Sequence, residues 1–233
     1  MLLLDMKSPH FLPPVLLASC LMVFSLDSAR AAKPESLELK QNGDIIISCE
    51  SLPPLQMHTE VTDVSTGGWK QAKHSGDFLP SSGNDVERVG NYVFPDGTEI
   101  THTVKAKIQD SSVLMAASWA PPGPAIGFSR VDLWLPQEIA QDVVITVGST
   151  KIFPLEEGDH PRPIKNTDPI VFKSKSTGDF LFELSGDYLG IIPAFLADKP
   201  EAGLTIRLAT VPDDHHCTIG DVTQANWTLA FKP

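Results

Sequence analysis

The chain has 233 residues, a net charge of −11 and a hydrophobic fraction of 42%, with 20 prolines and 16 glycines breaking it into short segments. A field of that sign repels nucleic acid and anionic membrane surfaces, and no basic cluster contradicts it, so nucleic acid is excluded as a partner. The same charge weighs against sulfated or uronic polymers as ligands, since those are polyanions.

Residues 1–31 have the order of an export signal. Lys7 and His10 precede an apolar run over 11–26, and small residues with the step Ala29-Arg30-Ala31 follow it. The run is interrupted by Pro13-Pro14 and falls short of the roughly 20 apolar residues that a spanning helix needs, so no membrane span is expected. The mature protein is expected to begin near Ala32 and to be secreted or periplasmic. Within the signal, Leu17-Ala18-Ser19-Cys20 resembles the lipobox of bacterial lipoproteins, whose cysteine is acylated. The apolar run continues through Leu21-Met22-Val23-Phe24, which favours conventional cleavage and leaves lipid anchoring through Cys20 as the alternative.

Removing residues 1–31 leaves 202, the size of one ordinary domain over 32–233. Two cysteines remain, Cys49 and Cys217, and an even pair in an oxidising compartment reads as a disulfide.

Strand patterns then follow one another. Early candidates run over 37–40, 44–50 and 57–64. In Glu99–Gln109, Ile100, His102, Val104, Ala106 and Ile108 alternate with Thr101, Thr103, Lys105, Lys107 and Gln109, a period of two that puts one set on a core and the other in water. Asp110-Ser111 is a short polar connection to a second strand over Ser112–Ala120. Val131, Leu133 and Leu135 alternate with Asp132 and Trp134 until Pro136 stops the run. Val143–Val147 and 151–153 flank the hairpin signal Gly148-Ser149. Further strands are expected at 170–173, 180–185, 188–192, 204–210 and 226–231, with Gly186-Asp187 as a turn between two of them. Only 137–141, after Pro136, and 193–197 have the pattern of a short helical turn. Segments 65–91, rich in Gly and Ser, and 155–169, rich in Pro and acid, read as long loops of the kind that are functional or disordered. The fold expected from this pattern is all-β, a single antiparallel β-sandwich.

The order DGTEITHTVKAKIQDSSVLMAASW, SRVDLWLP, DVVITVGSTKIFP, VFKSKSTGDFLFEL over roughly residues 95–185 resembles a β-sandwich of secreted bacterial proteins active on polysaccharide. It is similar to the supersandwich domains, related to the galactose-mutarotase fold, that accompany glycoside hydrolases and polysaccharide lyases. The resemblance implies a carbohydrate-related role; the acid and base residues of that family have no counterparts in the matched segments.

The polar clusters are weak carriers of chemistry. Asp213-Asp214-His215-His216-Cys217 places its ligands on adjacent residues, whereas zinc sites want spaced ones, so a solvated loop is expected and no metal site. Glu156-Glu157-Gly158-Asp159-His160 lacks the spacing of a calcium loop. Glu50, Glu60, Asp63, Asp110, Asp132 and Glu183 lie on or near strands, and nothing in the sequence pairs any two of them as the acids of a glycosidase. There is no nucleophile elbow, P-loop or H-E-x-x-H, and no cofactor is expected.

The aromatics point further, because an exposed tryptophan offers a flat face that stacks on a sugar ring while neighbouring acids and amides bind its hydroxyls. Trp69 sits in the Gly/Ser-rich loop, Trp119 ends a strand, and Trp134 with Asp132 occupies the polar phase of its strand. These four are the candidate ligand-binding residues, with core packing the favoured reading for Trp119 and Trp134 and exposure for Trp69. The expectation is therefore an exported, non-catalytic β-sandwich that binds or accompanies polysaccharide. A glycoside hydrolase or lyase with an unidentified acid/base pair and a structural envelope module without a glycan ligand are the alternatives.

Overall fold

A period-two alternation of apolar and polar side chains gives an extended segment one dry face, and two sheets are needed to bury many such faces against each other. The computed structural model describes residues 32–63, 70–71, 73–120, 128–153, 169–187, 189–192, 202–209 and 224–231. They form β1 (Pro34–Leu39), β2 (Ile45–Cys49), β3 (Leu55–Asp63), β4 (Lys70–Gln71), β5 (Lys73–His74), β6 (Ser81–Gly83), β7 (Asp85–Val93), β8 (Glu99–Gln109) and β9 (Ser112–Ala120). There follow β10 (Phe128–Pro136), α1 (Gln137–Gln141), β11 (Val143–Val147), β12 (Thr150–Phe153), β13 (Ile170–Ser174), β14 (Phe180–Gly186), β15 (Leu189–Ile192), β16 (Ala202–Ala209) and β17 (Gln224–Ala230).

The strands make two antiparallel sheets. The first has the order β15-β16-β10-β3-β2-β1-β6, with β4 paired to β3; the second has the order β12-β11-β13-β14-β17-β9-β8-β7-β5. One continuous cluster of buried side chains joins them. Ile45, Ile47, Leu55, Met57, Leu133, Leu135 and Ile206 come from the first sheet, and Val104, Met115, Ile145, Phe172, Phe182, Trp227 and Phe231 from around the second. At roughly 1.5–3 kcal/mol for each fully buried large side chain, this interface is the main source of stability. The fold is an all-β antiparallel sandwich. Among the described residues no helix is long and apolar enough to cross a membrane.

The expected face of β8 is the observed one: Ile100, His102, Val104 and Ala106 are buried, and Lys105 and Lys107 are exposed. Gln109 pairs with Ser112, so Asp110-Ser111 is a two-residue hairpin loop, and Asp110 takes a positive φ of 55°, which aspartate tolerates. Gly148, at φ 56°, turns β11 back into β12. The short helical turn after Pro136 is α1. Gly186-Asp187 proves to be a corner between sheets, because β14 belongs to the second sheet and β15 to the first.

Two expectations are corrected. The segment 65–91 is no long loop: it holds β4, β5, β6 and most of β7. β7 alternates without a break, but two of its inward positions are Arg88 and Gly90, so the apolar signal of a strand is missing from the sequence. The disulfide is the second. Cys49 is a free thiol at the inward-facing end of β2, packed into the main core, where burial first and Glu35 second push its pKa up to about 12. Cys217, Cys20, the loop 155–169 except its last residue, and the turn 193–197 lie outside the described residues, as does the signal segment 1–31.

Candidate functional site

The outward faces of β2, β3, β10 and β16 carry the densest polar arrangement on the first sheet. In β3 the inward positions Leu55, Met57 and Val61 are buried, which turns Gln56 and His58 to the opposite side. In β10 the inward positions Val131, Leu133 and Leu135 do the same for Asp132 and Trp134. Register then fixes the neighbours: Trp134 lies opposite Gln56 on one side and Thr205 on the other, and Asp132 lies opposite His58 and Arg207.

Asp44 anchors this face. It sits one residue before β2 and is itself buried; its Oδ2 accepts from Asn42 Nδ2 and Gln56 Nε2, both at 2.7 Å, and its Oδ1 lies 2.7 Å from His58 Nδ1. An ionised carboxylate only accepts, so Nδ1 carries the proton and the other ring nitrogen faces away from Asp44. The Asp44 backbone N–H donates to Asn42 Oδ1 at 3.1 Å, closing the turn between β1 and β2 onto the same pair. His58 is stacked on Trp134, ring centres 4.8 Å apart and planes 27° apart. The His58 side chain is 26% exposed and that of Asp44 is 7% exposed, so the imidazole edge is the part of the pair that meets solvent.

The result is a stacked indole–imidazole pair, held by a carboxylate with three hydrogen-bonded contacts, with amide and carboxylate groups around it. Chemically it offers a stacking surface plus fixed donors and acceptors. Asp132 is only 2% exposed although it occupies the outward phase of β10, so it supports the platform more than it presents a carboxylate to solvent.

The sequence candidates fare differently. Asp132 and Trp134 are brought together, as their shared strand face required, and Trp134 is half-buried on the outer side of its sheet and absent from the core. Trp119 follows the core-packing reading: it is 3% exposed on the inward face of β9, packed with Val61, Tyr92, Phe94 and Ile100. Its strand phase, with Val113, Met115 and Ala117, dictates that direction. Trp69, the cluster 213–217 and the acidic run 156–160 lie outside the described residues. Asp110 and Glu183 are in the second sheet and its hairpin, remote in topology from Asp132, so these carboxylates do not converge.

Asp44, Gln56 and His58 were not singled out from the sequence. The signal for the last two was present: Gln56 and His58 hold the polar phase of β3 as Asp132 and Trp134 hold that of β10. No family model, curated protein or solved structure matches the chain.

Proposed function

We propose that the protein is an exported, non-catalytic β-sandwich that binds polysaccharide through the outer face of its first sheet. The observation that carries the reading is Trp134: half-buried on that face, stacked on His58 and opposite Gln56, both of which Asp44 holds, with Asp132 on the same strand face. A sugar ring needs an apolar plate for its C–H face and oriented planar groups for its hydroxyls, and this is that combination on a rigid sheet. The export signal and the strand order that resembles supersandwich domains support the same role. The negative net charge favours a neutral glycan over a polyanionic one.

The test is a glycan array with the mature protein, followed by calorimetry on the best ligand. Trp134→Ala is expected to weaken binding by about 1–3 kcal/mol, the range for losing an aromatic anchor, and Gln56→Ala by less. Both variants must keep the melting temperature within a few degrees for the comparison to stand. Failure of the intact protein to bind any neutral glycan would leave the structural module as the better reading.

One observation favours an enzyme. Asp44 orients His58 at 2.7 Å, and Asp132 is the next residue in that cross-strand row, so a base and an acid share one face. Reducing ends released from the bound glycan by the wild type, and lost in both His58→Gln and Asp132→Asn, would replace binding with hydrolysis.

A further inference from the structure

The inward face of β7 places an arginine where a sandwich normally has an aliphatic residue. Arg88 shares the inward phase with Val86, Gly90 and Tyr92, pairs across the sheet with Val104, and is 3% exposed. Its guanidinium carbon lies 4.5 Å from the centre of the Phe78 ring and 5.5 Å from that of Tyr92. His74 stacks on Phe78 at 4.1 Å, and His102, fully buried, meets Tyr92 edge-on at 6.0 Å.

Neither Nε nor Nη1 of Arg88 reaches a hydrogen-bond acceptor. The carboxylate that bears on Arg88 electrostatically is Asp44, yet both its oxygens are engaged by Asn42, Gln56 and His58. Two ring faces return part of the cost of desolvating a guanidinium, but they supply no lone pairs. Buried charges in proteins are otherwise paired, and buried donors bonded. The surroundings are donors again: Trp119, stacked on His102 at 6.4 Å, has an indole N–H without an acceptor. Among the described residues, the groups printed against Arg88 are ring faces, and Asp44, the carboxylate that bears on it, is already hydrogen-bonded elsewhere, an arrangement suited to receive negative charge.

The turn before β2 closes one side of it. A Cβ on Gly43, which has φ 88°, would come within 2.7 Å of Arg88 Nε and 2.5 Å of the Phe78 ring, so glycine lets the backbone lie directly against the guanidinium.

We propose that Arg88 is the receiving group of an oxyanion site at this aromatic end of the sandwich, taking a carboxylate or a small inorganic oxyanion. The planar guanidinium fork matches either through two parallel N–H···O bonds, and the rings around it strengthen the attraction by keeping water out. This site is on the inward face of the second sheet and stands independently of the glycan-binding reading.

The experiment is an anion titration of the purified protein with acetate and with phosphate, each compared with chloride at equal ionic strength. Thermal melting and calorimetry are the readouts. At least one of the two is expected to raise the melting temperature saturably above the chloride baseline. Arg88→Met should abolish that increment, and Arg88→Lys, which keeps the charge without the fork, should weaken binding about tenfold or more. Saturation by acetate alone assigns the ligand as a carboxylate, and by phosphate alone as an inorganic oxyanion. Parallel, non-saturating rises in wild type and Arg88→Met would be a general salt effect and would overturn the proposal. If neither variant folds, the Arg88 guanidinium resonances of the wild type decide: they are expected to shift with saturating anion, and resonances that stay fixed overturn the site.

Discussion

His102 should make the protein sensitive to mild acid. It is fully buried on the inward face of β8, between Tyr92 of β7 and Trp119 of β9, with the Arg88 cation on the neighbouring strand. Desolvation first and the Arg88 charge second push its pKa down to about 3 from the ordinary 6.5. In the unfolded chain the same imidazole takes a proton near pH 6.5, so below that value the unfolded state binds one proton that the native state refuses. Stability therefore falls as pH drops, by about 1.4 kcal/mol per pH unit, and the loss between pH 6.5 and 4.5 should be about 2–3 kcal/mol. Against a typical domain stability of about 5–15 kcal/mol that is a large share. Carboxylates begin to take up protons toward pH 4.5, so it is the comparison with a His102 variant that isolates this residue. Urea denaturation at pH 7.0, 6.0, 5.0 and 4.5 measures it, on wild type and on His102→Gln. The variant should lose some stability at pH 7 but show a shallower decline, and the difference between the two curves should approach the 2–3 kcal/mol above. Curves that run parallel from pH 7.0 to 4.5 would show that His102 takes up its proton without unfolding, and the burial argument would be wrong.

Three further outcomes follow from the fold. Val104→Asp, at a buried position of β8, should destabilise by more than about 3 kcal/mol through an unpaired buried charge, while Lys105→Asp, on the exposed phase opposite Glu87, should cost less than about 1 kcal/mol; equal losses in chemical denaturation would contradict the assigned face. Asp142 holds the turn between β13 and β14 by accepting from Ser174 Oγ at 2.6 Å, Ser176 Oγ at 2.9 Å and the Ser176 N–H at 2.9 Å, and the Ser174 bond leads in lowering its pKa, so Asp142→Ala should cost about 1–2 kcal/mol above pH 5, and this contribution should fade in acid as the carboxyl protonates. Cys49, with its thiol pushed up to about 12, should resist alkylation in the native protein at pH 8 and react once urea unfolds it; native labelling within minutes, located by peptide mapping, would place the thiol at the surface.

The strands that could be read from the sequence are those whose inward positions are uniformly apolar. β9, β10 and β11 qualify, and β8 does so apart from His102, and there the alternation named both the element and its buried face. β7 alternates just as regularly, yet two of its four inward residues are Arg88 and Gly90, so its period is carried by geometry with no hydropathy to mark it. Gly90 is constrained by the same neighbourhood, since a Cβ there would come within 2.9 Å of the Tyr92 ring and 3.1 Å of Phe78. The aromatic packing that makes glycine necessary is tertiary, and no local pattern reports it. Sheet membership was likewise closed to sequence: Gly186-Asp187 is a turn by composition, and only the pairing of β15 with β16 shows that the chain changes sheets there.

Legibility of the candidate site follows the same logic one level up. Asp132 and Trp134 could be singled out because they share a strand, where spacing alone puts them on one face. Asp44 and His58 are 14 residues apart and meet only because β2 pairs with β3 in the register Ile45 to Met57, which brings the residue before β2 beside His58. A register slip of one residue would have sent His58 into the core and Met57 out to Trp134. The apolar face of β3 is thus what holds the Asp44–His58 pair against Trp134, and the polar face is specified by the packing of the opposite one. A substitution such as Met57→Lys, far from any ligand, should for that reason damage the outer platform as severely as a change made within it.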